Sequence, residues 1–126
     1  MGNIIETKDI LEENVICSKN TWYGHIGTRH TVMQKNIDAV VDAIKDPDYI
    51  YKSSENEERK VYFKNSELST YNMNTKVITK SIGDNKSEIV SAWPQKSVTG
   101  GIGDEIYHRE SSIWSRKWYS LLYMLE

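Results

Sequence analysis

The residues best suited to chemistry lie close together in the chain. The stretch Trp22-Tyr23-Gly24-His25-Ile26-Gly27-Thr28-Arg29-His30 holds two histidines and an arginine within six positions. Histidine takes up and releases a proton near neutral pH. The arginine fork grips an anionic oxygen and stays charged throughout. Such a group suits proton transfer beside a negative centre. The same residues also fit a core histidine with two surface cations beside it. Geometry separates the two readings. An enzyme requires His25, Arg29 and an acid or base partner to converge on one exposed cleft. A binding module allows His30 to be buried and His25 to point elsewhere.

The elements that position this group follow from periodicity. Counted at about 100° per residue from Ile26, the residues Ile26, His30, Met33, Ile37, Val40, Val41 and Ile44 fall within roughly 60° of one line. Arg29 and His25 lie at the edge of that stripe. The pattern predicts one long amphipathic helix from near Gly24 to Lys45, with a break or bend near 34–36. Asn20 and Thr21 are good residue types for its N-cap. Asp46-Pro47-Asp48 ends it, because proline cannot continue a helix and biases the residue before it towards an extended backbone.

Before the helix, 14–18 reads as a short strand. Ile4, Ile5, Ile10 and Leu11 suit a short helix or an added strand. After it the period changes to two. Residues 49–52, 59–64, 75–82 and 88–93 read as four strands of an antiparallel meander, the last stopped by Pro94. In the second of these, Val61 and Phe63 share one face and Tyr62 and Lys64 the other. In the fourth, Ser91 faces with Ile89 and Trp93. Gly83-Asp84-Asn85-Lys86 is a turn by composition. Residues 97–104, with Gly100, Gly101 and Gly103, read as a loop that lacks the order of a phosphate-binding fingerprint. From Ser111 or Ser112 the chain predicts a last helix, on which Trp114, Trp118, Leu121, Leu122 and Leu125 recur at helical spacing. The expected fold is α+β, with the long N-terminal helix packed on the meander and an additional C-terminal helix.

Size and charge bound the rest. The 126 residues suit one domain, 1–126. Sixteen Lys and Arg stand against eighteen Asp and Glu, which argues against an indiscriminate basic nucleic-acid binder and leaves a local basic cleft open. The acidic loop at Glu55, Glu57 and Glu58 would repel a nucleic-acid backbone unless it lies away from the site. The single Cys17 suits a reducing, cytoplasmic setting. No apolar run is long enough for a membrane span. His25 and His30 lie about 140° apart on a helix, so they do not share a face as paired zinc ligands do. No metal and no cofactor is expected. His108 reads as a surface residue.

Several of these pieces, in this order, resemble a known family. They are Trp-x-x-His-Ile-x-x-Arg-His at Trp22 to His30, then Asp46-Pro47-Asp48-Tyr49-Ile50, Tyr62-Phe63-Lys64, Lys76-Val77-Ile78, and Ile89-Val90-Ser91-Ala92-Trp93-Pro94. They resemble the phage-associated nuclease domains of the Barnase–EndoU–colicin–RelE superfamily, called PBECR domains. The resemblance covers the core 15–96 and leaves 97–126 outside it. It implies a toxin- or phage-associated endoribonuclease that works without a metal. The ribose 2′-hydroxyl attacks the adjacent phosphate, which asks for a base, an acid and a cation. His25, Arg29 and His30 supply those types, and Ser91 would bond a phosphate oxygen. Lys64, Lys76 and Lys80 are candidates to hold the RNA, with Tyr62 or Trp93 stacking a base. The expected partners are RNA, a protein inhibitor or antitoxin, and a second copy docked through Trp114, Trp118 and Leu122. The alternative is a non-catalytic protein-interaction module on a nuclease-like scaffold.

Overall fold

A computed structural model describes residues 2–66 and 73–109. Among the described residues seven strands form one sheet: β1 (Asn3–Lys8), β2 (Asn14–Ser18), β3 (Tyr49–Ser53), β4 (Arg59–Ser66), β5 (Met73–Gly83), β6 (Lys86–Gln95) and β7 (Ile102–His108). Their order across the sheet is β1-β2-β6-β5-β4-β3-β7. The meander β3-β4-β5-β6 is antiparallel throughout. It does not stand alone. On one side β2 joins β6 in parallel and β1 then pairs antiparallel with β2. On the other side β7 pairs with β3. The expected α+β fold is therefore corrected to a mixed seven-stranded sheet with short helices on it.

The long helix from Gly24 to Lys45 does not form. In its place a helical segment spans 19–29, a 3-10 turn covers Thr31–Lys35, and a second helix runs over Ile37–Lys45. Ser18 caps the first segment, its hydroxyl accepting from the Thr21 N–H at 3.0 Å. Within that segment the turn Trp22–Ile26 is a π-turn, wider than an α-turn. At His30 the backbone leaves the helical region, with φ −131° and ψ 76°. The side chain of Gln34 then folds back and donates to the Gly27 carbonyl at 2.8 Å. A second departure follows at Asn36, whose side-chain amide donates to the Val32 carbonyl. Ile26, Met33, Val40 and Ile44 remain buried, so the apolar spacing survives while the helix does not.

One face of the sheet carries the core. Trp22, Ile26, Val40 and Ile44 from the helical segments pack with Val15, Cys17, Ile50, Tyr62, Val77, Ile89 and Ala92 from the strands. Asp9, in the turn between β1 and β2, is pinned beneath them. Its buried carboxylate accepts from the Tyr62 phenol at 2.6 Å and from the backbone N–H groups of Leu11 and Glu13. A buried carboxylate is tolerated only when it is bonded in this way.

Two strand expectations also change. The loop 97–104 is cut short, because its end has entered β7 from Ile102 onwards. Pro94 does not stop β6, which continues to Gln95. Only residues 86–88 of that strand pair with β2, so Pro94 has a ladder neighbour on the β5 side alone and its missing N–H breaks nothing. The predicted helix after Ser111 lies outside the described residues. Among the described residues no helix is long and apolar enough to cross a membrane.

Candidate functional site

The other face of the sheet gathers most of the candidate residues. Strand register sets two rows across it. Tyr49, Phe63, Lys76 and Trp93 lie side by side on β3, β4, β5 and β6, and Tyr51, Val61, Ile78 and Ser91 form the next row. A bulge at Val90 decides which residues of β6 join this face. Ile78 pairs with Ser91 and Thr79 with Ile89, which leaves Val90 as an extra residue. The bulge sends Ile89 into the core with Ala92 and leaves Ser91 and Trp93 on the open face. The expectation that Ser91 faces with Ile89 is corrected accordingly.

Trp93 joins the sheet to the histidine-rich segment. The His30 ring stacks on the indole, with centroids 5.5 Å apart and planes 26° from parallel. His30 is thus neither in the apolar core nor free in solvent. Burial lowers its pKa from the ordinary histidine value, and the nearby charges of His25 and Arg29 lower it further. His25 and Arg29 therefore each lie within electrostatic reach of His30. Among the described residues, His25, Arg29 and Ser91 spend no side-chain hydrogen bond or ion pair on the protein.

Beside Trp93 sits Lys76, only 4% exposed. Its ammonium lies 5.0 Å from the Trp93 ring centre and 5.5 Å from that of Phe63, in reach of a cation–π contact with each. It donates to the carbonyls of Thr99 and Gly100, both at 2.9 Å, and so ties the loop after β6 down on the sheet. Burial lowers the Lys76 pKa, and the carboxylate of Glu55 works in the opposite direction. Gly100 must be glycine here. Its φ is +92°, and an added Cβ would lie 2.8 Å from the Lys76 ammonium.

Beneath this loop lies a cleft of about 280 Å³, walled by Ser53, Glu55, Arg59, Val61, Lys76, Ile78, Trp93, Gly100 and Gly101. The Nε of Arg59 is buried and has no hydrogen-bond partner among the described residues. Sequence reasoning passed over Arg59 and the place of Glu55, although the alternation that puts Val61 and Phe63 on one face puts Arg59 there too.

Three candidates lie away from this cleft. Tyr62 is fully buried on the core side, its phenol bonded to Asp9, and has no surface on which to stack a base. Lys64 is also on the core side and pairs with Asp46 at 3.0 Å. Lys80 shares the open face but lies at the far end of β5, 4.0 Å from Glu58. Trp93 faces the site, with its ring already engaged by His30 and Lys76. His108 is exposed and pairs with Glu105. Cys17 is buried, which, with Glu88 adding to the effect, pushes its thiol up to about 12; it stays protonated at neutral pH and is a poor nucleophile. Among the described residues no group of three or more His, Cys, Asp or Glu side chains is placed to hold a metal ion.

No family model, no curated protein and no solved structure matches this chain.

Proposed function

We propose that the protein is an endoribonuclease that cleaves RNA by 2′-hydroxyl transesterification at His25, Arg29 and His30. The observation that carries this reading is the stack of His30 on Trp93, with His25 and Arg29 close enough to lower the His30 pKa. A lowered pKa leaves the imidazole unprotonated at neutral pH, as a general base requires. His30 takes the proton of the 2′-hydroxyl as the oxygen attacks phosphorus. His25 gives a proton to the 5′-oxygen as the P–O5′ bond breaks. The products are a 2′,3′-cyclic phosphate and a 5′-hydroxyl. Arg29, exposed and free of ion pairs among the described residues, holds the phosphate oxygens as charge builds on them. Trp93 serves as a positioning residue, since its ring holds the His30 imidazole by stacking.

The test is cleavage of a mixed-sequence RNA by the intact chain in EDTA, beside His25→Ala and His30→Ala variants. Loss of either general acid or base lowers the rate by about 10²–10⁴-fold. Equal cleavage by all three proteins would remove the assignment.

The position of Glu55 favours a second reading. Its carboxylate walls the cleft beside Arg59 and Lys76, where it opposes a polyanion. A non-catalytic interaction module on the same face accounts for that carboxylate directly. It predicts no RNA cleavage by any variant.

A further inference from the structure

We infer that the cleft between Arg59 and Lys76 is a phosphate-binding subsite, separate from the reacting centre, that holds a neighbouring phosphate of the bound strand. The inference rests on the proposed action on RNA, and its own observations are independent of cleavage. The first is the orphaned donor. Arg59 Nε is buried with no acceptor among the described residues, and an unmet buried N–H is costly. The second is the Lys76 ammonium in the same wall, 4% exposed and bonded only to the two carbonyls of Thr99 and Gly100 among the described residues. An ammonium has three donors, so one remains. The third is the shared wall. Trp93 lines the cleft and also carries His30, so a strand leaving the histidine group along the sheet meets the cleft next.

The ligand chemistry follows from these groups. A guanidinium and a buried ammonium in one small cleft select a compact oxyanion, and phosphate fits the arginine fork. Glu55 sits at the same wall and competes for Lys76. Removing its charge should therefore strengthen binding.

The experiment measures binding of an all-deoxy tetranucleotide, which cannot undergo 2′-hydroxyl attack, and in parallel of inorganic phosphate alone. It compares the intact chain with Arg59→Met, Glu55→Gln and His108→Ala. NMR follows the Arg59 Nε–H in the proteins that keep it. Methionine keeps much of the apolar stem of Arg59, and thermal unfolding of each variant checks that the fold holds. We expect tetranucleotide binding to fall about tenfold in Arg59→Met, to rise in Glu55→Gln, and to change less than twofold in His108→Ala, whose exposed ring lies outside both sites. The Arg59 Nε–H signal should shift on titration. Unchanged affinity in a folded Arg59→Met variant, or an unmoved Nε–H signal, overturns the inference. Inorganic phosphate shifting that signal while the tetranucleotide does not would also overturn it, by assigning the cleft to a free anion. The two proposals fail separately: binding through Arg59 without RNA cleavage removes only the nuclease reading, and cleavage with binding indifferent to Arg59 removes only this one.

Discussion

At the scale of single residues, His30 is the group whose environment bears most on the chemistry. Burial lowers its pKa first, then the charges of His25 and Arg29. On the proposed mechanism, kcat/KM falls on the acid side at a pH below the ordinary histidine value of 6.5. Replacing Arg29 by Gln removes a cation that disfavours the imidazolium, so the His30 pKa should rise and the acid limb should move to higher pH. An NMR titration of the His30 ring protons reads this directly, and a shift the other way would contradict it. The same sign governs stability. Between the folded and unfolded pKa values the unfolded chain binds more protons, so acidification through that window destabilises the fold. Gly100 offers a second residue-scale test. With φ at +92°, a Gly100→Ala substitution is strained and should destabilise by about 1–3 kcal/mol in thermal or urea unfolding. A neutral outcome would mean that the Lys76 tie on this loop tolerates another backbone.

Elements come next, and two of them show what local pattern can and cannot reveal. The period-two alternation of β3 to β6 was readable, because each strand's two faces differ in the residues themselves. Val61 and Phe63 against Tyr62 and Lys64 is such a case. The bulge at Val90 was not readable. Ile89, Ser91 and Trp93 alternate as a regular strand would, and only pairing with Ile78 and Thr79 displaces Ile89 to the core face. The long helix fails for a related reason. Ile26, Met33, Val40 and Ile44 keep helical spacing and all turn inward, yet the chain breaks at His30 and Asn36. The stack on Trp93 accompanies the first break, and that contact lies more than sixty residues away in the chain. The β1–β2 turn makes a testable element. Tyr62→Phe removes the phenol that donates to the buried Asp9 carboxylate. That should destabilise by about 1–3 kcal/mol while leaving the open face intact. RNA binding lost in a variant that still folds would contradict the placement of Tyr62 away from the site.

For the whole molecule, the legible part was the antiparallel meander of β3 to β6. The illegible part was how the sheet is completed. The parallel pairing of β2 with β6, the added β1 and the return of β7 to β3 are long-range contacts that local sequence does not encode. That completion sets the place of the candidate site, since β2 leads into the histidine-bearing segment and lies beside the strand that carries Trp93. Overall charge near zero is a whole-molecule constraint too. It places the weight of any RNA binding on the local group of His25, Arg29, Arg59 and Lys76, so binding should weaken with salt in proportion to the few phosphates contacted, by a modest slope in log–log form. A steep slope would point to contacts beyond this face.

The most direct test of the central claim is the chemistry of the ends produced. An RNA oligonucleotide and its 2′-deoxy counterpart would be incubated with the protein in EDTA and the products analysed by mass spectrometry. The account predicts cleavage of the RNA alone, with 2′,3′-cyclic phosphate and 5′-hydroxyl ends. Cleavage of both strands, 5′-phosphate ends, or no cleavage at all would contradict it.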